Sequence, residues 1–263
     1  MEDKPISKML DVVIITGASK GIGASIADKL ANACKTLIVS ASSEKIHSRK
    51  IEGTAQVIPL QMDLSDFAGC QYHIKNTVSK LENINSLGIV LCGGQIGEPG
   101  GLFNNCKLSE WDNLYKCNVL GNLAVIKGCE DLIKSGIKTR IVFFSGGGAA
   151  FAYPDFSGYA LSKVAVVRAV ENISIELKSM SNDASIIALA PGAVDTDILK
   201  KVLDSGSQVR TRTDISEPTN FTFNFLTDVF PSKELNGKFL HVRDDVNQII
   251  NTTNSNLFSL RRV

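Results

Sequence analysis

The chain is short of the residues that mark several functional classes. It has only three histidines, His47, His73 and His241, spread far apart. Its six cysteines are Cys34, Cys70, Cys92, Cys106, Cys117 and Cys129, and none forms a C-x-x-C pair. That spacing argues against a bound metal and predicts buried, reduced thiols, which fits a cytoplasmic location. Neither sign of charge is in excess: 28 Lys and Arg face 27 Asp and Glu. Basic residues are scattered, and the pairs Lys200-Lys201 and Arg261-Arg262 read as solvated surface. No electrostatic footprint for nucleic acid or an anionic membrane is present. No apolar run approaches the ~18 residues that span a bilayer. The start, Met1-Glu2-Asp3-Lys4-Pro5, lacks the apolar stretch of a secretion signal. The expectation is a soluble intracellular protein that partners neither nucleic acid nor membrane.

What the chain does have is a regular alternation of elements. With 263 residues, 44% of them hydrophobic, it can build a full core. Short apolar runs at Val12–Ile15, Leu37–Val39, Val57–Leu60, Leu87–Leu91, Arg140–Phe144, Ser185–Ala190 and Lys238–Val242 read as strands. Pro59 predicts an edge position for the third. Helical periodicity fills the gaps: about Gly21 to Asn32, 66–82, a long helix from Ser109 to Ser135, and Gly158 to Met180. Alternation of this kind predicts an α/β fold, a doubly wound parallel sheet of seven strands with helices on both faces. No linker, repeat or low-complexity segment appears, so one domain over 1–263 is expected. Residues 193–236 are the least regular and read as two short helices around a loop. The stretch from Asn247 to Val263 reads as a tail that wanders over the surface or onto a neighbouring subunit.

Two motifs carry chemistry. Thr16-Gly17-Ala18-Ser19-Lys20-Gly21-Ile22-Gly23 lies between the first strand and the first helix. Gly17 permits a tight turn, Gly21 a close phosphate, and Gly23 close helix packing; the helix N-terminus then favours an anion. Downstream, Tyr159 and Lys163 stand four apart, on one face of a helix. A cation beside a phenol favours the phenolate and makes the tyrosine a usable acid and base.

These motifs resemble those of the short-chain dehydrogenase/reductase family, of the classical type. The glycine run is similar to its TGxxxGxG motif, and Tyr159-Ala160-Leu161-Ser162-Lys163 to its YxxxK motif. Cys117-Asn118-Val119-Leu120-Gly121 resembles the helix segment bearing an active-site Asn. Pro191-Gly192-Ala193-Val194-Asp195-Thr196 resembles the PG motif, and Asp63-Leu64 the acidic position that contacts adenine. The resemblance covers roughly residues 10 to 245 and implies a single NAD(P)-binding Rossmann domain with its substrate loop at about 193–236. It implies Tyr159 as general acid/base, Lys163 as the group that lowers its pKa and binds the nicotinamide ribose, and Asn118 as holder of a relay water. The implied cofactor contacts are Gly17, Ser19, Lys20, Gly21, Ile22, Gly23, Ser40, Asp63, Leu64, Gly93, Tyr159, Lys163, Pro191, Gly192, Val194 and Thr196.

The chain departs from the family pattern twice. A serine usually lies about thirteen residues before the tyrosine; here that position is Gly146, with Ser145 one residue earlier. Either Ser145 reaches the site, or backbone N–H groups of Gly146-Gly147-Gly148 serve an oxyanion. Leu91-Cys92-Gly93-Gly94 stands where the family often has NNAG, whose asparagines brace the central sheet and line the cofactor site, so that brace is weakened while the acid/base machinery is kept. The second strand ends in Val39-Ser40-Ala41-Ser42-Ser43, without the acid that favours a free 2′-hydroxyl. With Lys20 nearby, this favours NADP, with NAD the alternative. The expected activity is hydride transfer at a carbonyl or secondary alcohol of a small molecule. Epimerisation, dehydration or a non-catalytic dinucleotide sensor are the other readings. Lys200, Lys201, Arg210 and Arg212 border the substrate loop and could meet an anionic substrate. The SGGG run resembles relatives associated with sugar modification, which makes a sugar derivative another candidate. The helices near 109–135 and 158–180 imply a homodimer or homotetramer; whether Val164, Val167 and Val170 face the sheet or a partner stays open.

Overall fold

The computed structural model describes residues 9–209, 211–252 and 258–260. Arg210, Arg261-Arg262 and the first residues from Met1 to Pro5 lie outside them. The strands are β1 (Leu10–Thr16), β2 (Cys34–Ala41), β3 (Gln56–Gln61), β4 (Ser86–Leu91), β5 (Lys138–Phe144), β6 (Ala184–Ala190), β7 (Ala193–Val194), β8 (Arg212–Thr213) and β9 (Phe239–His241). Seven form one sheet in the order β3-β2-β1-β4-β5-β6-β9, and β7 and β8 pair separately. Every pair in the large sheet is parallel. The strand order reverses between β1 and β4, so a crevice opens beyond their carboxyl ends. β3 is an edge strand, as Pro59 predicts, and Pro59 pairs with Val39.

The strand centres are apolar because both faces of the sheet are covered. Along β1, Val13 and Ile15 enter one core while Val12 and Ile14 enter the other, the alternation a strand imposes. The first core takes Ile26 and Leu30 of the helix Gly21–Leu30 with Phe221 and Phe225 of the helix Ser216–Leu226. The second takes Ile74 of the helix Phe67–Val78, Val125 of the helix Gly121–Gly128, and Val166, Val167 and Val170 of the helix Ser157–Met180. Val167 and Val170 therefore face the sheet, while Val164, Leu161 and Ile175 are exposed.

Three expectations need correction. The single helix expected from Ser109 to Ser135 is interrupted. It runs as Leu108–Tyr115, a π-helical turn over Lys116–Leu120, then Gly121–Gly128, and bends at Cys129 before Glu130–Lys134. The π-turn inserts one residue, so Cys117, Asn118 and Val119 are buried in succession. Gly121 follows at once, where a Cβ would collide with the Leu64 carbonyl oxygen. The 193–236 span is also more ordered than expected, with Asp197–Asp204, Ser216–Leu226 and the single turn Ser232–Leu235. The described part of the C-terminal tail is not loose: Val246–Asn251 is helical with Ile249 buried, and the Phe239 N–H donates to the Phe258 carbonyl.

Candidate active site

The crevice begins at the end of β1. Gly17 and Gly21 have φ of 68° and 59°, which favours glycine. A Cβ on Gly17 would stand 2.7 Å from Gly93 Cα, and one on Gly23 would strike the Gly17 carbonyl oxygen. Two loops and a helix start thus converge with no room for side chains. No side chain caps the helix Gly21–Leu30, which leaves its first-turn N–H groups for an anion.

These groups open onto a cleft of about 490 Å³. Of the sequence-predicted contacts, Gly17, Ser19, Lys20, Gly21, Ile22, Gly23, Ser40, Asp63, Leu64, Gly93 and Thr196 line it. Pro191, Gly192, Val194, Tyr159 and Lys163 do not; the first three form the turn into β7, with Gly192 at φ 72° against Thr213. The uncapped helix start, the glycine cradle and the cleft's size fit a dinucleotide. Two lining side chains are already engaged. The Ser40 hydroxyl is buried and donates to the Ile15 carbonyl at 3.5 Å. The Lys20 ammonium, although exposed, is paired with Asp197 across the cleft mouth.

The second half of the site hangs on the helix Ser157–Met180. Tyr159 is half-buried and Lys163 is 6% exposed. The Lys163 ammonium lies 5.5 Å from the centre of the Tyr159 ring and donates to the Phe144 carbonyl at 3.0 Å. Burial pushes the Tyr159 phenol above its ordinary range, with Tyr153 and Cys92 adding to the shift. Burial also holds Lys163 down, to about 8. Desolvation is the largest influence on both groups and disfavours both charged forms.

Asn118 is buried at the π-turn. Its Nδ2 donates to the Gln95 carbonyl at 2.8 Å and to Ser162 Oγ at 2.9 Å, while its Oδ1 accepts from the Gln95 N–H at 2.7 Å. Ser145 does not reach the site. Its hydroxyl is buried and donates to the Lys163 carbonyl at 3.0 Å. Gly146 faces the site instead: a Cβ there would lie 3.1 Å from the Tyr159 hydroxyl. Gly147–Ala150 forms a single helical turn with Gly148 packed on Ala160.

Sequence reasoning missed the sheet brace. Thr16 Oγ1 donates to Asn122 Oδ1 at 2.8 Å and accepts from the Gly93 N–H at 2.9 Å. Asn122 Nδ2 in turn donates to the Gly93 carbonyl at 2.9 Å and to the Cys117 carbonyl at 3.1 Å. This network ties β1 to the tip of β4, where Leu91 and Cys92 replace the asparagines of the motif. The available signal was the spacing: Asn122 is one turn beyond Asn118 on the same helix.

A nucleotide-sized cleft at the strand-order reversal, with a buried lysine beside its lining residue Gly94 and a tyrosine one turn away on the same helix, fits a dinucleotide-dependent oxidoreductase. The comparisons are more specific: the short chain dehydrogenase family pattern matches residues 11–206, and the chain belongs to that family. It is 25% identical over 203 residues to a benzil reductase of Saccharomyces cerevisiae, covering 74% of this chain and 75% of that one. The fold matches a 7α-hydroxysteroid dehydrogenase solved with NADH and 7-oxo glycochenodeoxycholic acid. The TM-score is 0.76 at 21% identity, covering 92% of this chain and 96% of that one. It also matches ElxO solved with NADP, at TM-score 0.74 and 21% identity, covering 89% and 97%.

The burial of Lys163 has a measurable consequence. Its folded pKa is near 8 against an ordinary 10.5, so the cost of burying the ammonium is complete below pH 8 and fades as pH rises towards 10.5. That cost is at most on the order of 3 kcal/mol. Lys163→Met is expected to melt higher than the wild type at pH 7, with the gap narrowing by pH 10. Differential scanning fluorimetry across that range checks it, and a gap that does not change with pH contradicts it.

Proposed function

We propose that this protein is an NADP(H)-dependent oxidoreductase that interconverts a carbonyl compound and a secondary alcohol, with Tyr159 as the general acid/base. The observation that carries the reading is the Tyr159 hydroxyl facing the open position at Gly146, with the Lys163 ammonium behind its ring. When bound, the nicotinamide supplies or accepts the hydride. The chain's own residues handle the oxygen and its proton. The protonated phenol of Tyr159 is the form that donates to a carbonyl oxygen. Lys163, whose ammonium lies beside Gly94 of the cleft lining, would bind the ribose. Gly94 leaves Asn118 Oδ1 and Lys163 facing one gap: a Cβ there would lie 2.9 Å from the first and 3.7 Å from the second. A water bridging that gap returns the proton through Lys163. Asn118 acts chiefly through Gln95, fixing the loop beyond β4.

The NADP preference rests on what the end of β2 lacks. Ser42 is exposed beside the cleft, no carboxylate replaces it, and Lys20 supplies the positive charge. The reading takes 1–263 as one domain with its substrate loop at 193–236, in a cytoplasmic homodimer or homotetramer. Six free cysteines and the exposed Leu161, Val164 and Ile175 support those last two points. No helix among the described residues is long and apolar enough to cross a membrane.

Tyr159→Phe is expected to bind NADPH as the wild type does and to lose about 10³-fold or more in turnover, as removal of a proton donor does. Equal turnover of the variant in a cofactor-coupled absorbance assay contradicts the assignment. Lys20 must leave Asp197 to meet a 2′-phosphate. Asp197→Asn should therefore tighten NADPH by about two- to fivefold, the worth of an exposed ion pair, and leave NADH unchanged. Fluorescence titration decides this; NADH binding as tightly as NADPH to the wild type overturns the preference.

A further inference from the structure

The side of the site away from the nucleotide has its own apolar cluster, separate from both cores of the sheet. Ile96, Phe156 and Val202 are buried there, with Tyr153, Tyr159 and Val209 packed against them. Tyr153 and Phe156 hold their rings 5.3 Å apart. The members come from three places: the loop beyond β4, the approach to the helix Ser157–Met180, and the span between β7 and β8. They meet at the tyrosine that would protonate the substrate. A substrate reaching Tyr159 from this side meets hydrocarbon.

Among the described residues, most cations around this span face a carboxylate, and the exposed Lys200 lies within electrostatic reach of Asp197. Lys201 pairs with Glu98 at 2.5 Å, Lys20 with Asp197, and Arg212 lies 4.0 Å from Asp195. A substrate anion would have to displace these carboxylates. Gly146 adds a shape constraint. Its φ of 176° is extended backbone that any residue adopts, so the chain's course does not require glycine there. What a side chain would do is crowd the Tyr159 hydroxyl, with Cβ 3.1 Å away. The missing side chain leaves space beside the reacting oxygen for a substituent of the substrate.

We propose that the substrate is an uncharged, largely apolar ketone with a bulky substituent beside the carbonyl, and that Gly146 is the specificity-determining position. The proposal rests on the oxidoreductase reading above. In the reaction the carbonyl carbon gains a hydride, its oxygen gains the Tyr159 proton, and NADPH leaves as NADP⁺. The product is a secondary alcohol, and Tyr159 regains its proton from solvent.

The test uses the full chain with NADPH and four probes: 1-phenyl-1,2-propanedione, acetophenone, pyruvate and glucose. The aromatic ketones are expected to exceed pyruvate and glucose in kcat/KM by about a hundredfold or more, the discrimination an apolar pocket gives against a charge or a set of hydroxyls. Gly146→Ala should bind NADPH normally but raise KM for 1-phenyl-1,2-propanedione by about tenfold, for one methyl group in a tight space. A readout without turnover uses the protein's one tryptophan, Trp111, which packs on Gly158 in the helix of Tyr159. Titration of the NADP⁺ complex with acetophenone should quench it, with weaker binding in Gly146→Ala. Preference for pyruvate or glucose overturns the proposal and leaves the oxidoreductase reading standing. Unchanged ketone binding and KM in Gly146→Ala overturn the role of Gly146. NADPH binding with no turnover of any probe and no ketone-dependent quench sinks both readings.

Discussion

Two asparagines one helical turn apart hold the candidate site in shape. Asn118 closes a pair of hydrogen bonds on the Gln95 backbone, and Asn122 links Thr16 to Gly93. Each makes side-chain contact with the loop beyond β4 from the helix that crosses it. The π-turn makes this possible, because it places Asn118 inward between two buried neighbours. The same network joins the glycine run at the end of β1 to the helix carrying Lys163, through the Asn118 bond to Ser162. Loss of one partner would leave buried polar groups unpaired, so the arrangement holds as a unit.

Burial around Tyr159 and Lys163 opposes charge on either one, and for the lysine this costs stability near neutral pH. Such a cost at a functional site is the ordinary trade between activity and stability. The span between β7 and β8 adds a second balance. It is tied down on one side by Lys20 and Asp197 and on the other by Lys201 and Glu98. These are exposed pairs of small individual worth.

Much of the fold was legible because the strands are buried on both faces and so read as unbroken apolar runs. The glycine run was legible because positive φ and contact without a side chain demand glycine at Gly17 and Gly21. Other features were hidden for definite physical reasons. A π-turn adds one residue without disturbing composition, so the helix across 109–135 read as continuous. Side chains alternate along extended backbone, so an offset of one residue reverses their direction. Ser145 therefore turns to the Lys163 carbonyl while Gly146 faces Tyr159. Ser40 turns inward in the same way at the end of β2. The brace was hidden because its donors, Thr16 and Asn122, are far apart in sequence and lie outside the motif that would announce it.

The central claim is that this brace holds the nucleotide cleft open and in register, and the direct measurement is on Asn122→Ala. Its folding stability and its NADPH affinity should fall together: about 2–4 kcal/mol for the orphaned Thr16 and Gly93 groups, and about tenfold or more in Kd. A variant that loses stability but binds NADPH like the wild type, at a temperature where both are folded, would contradict the account.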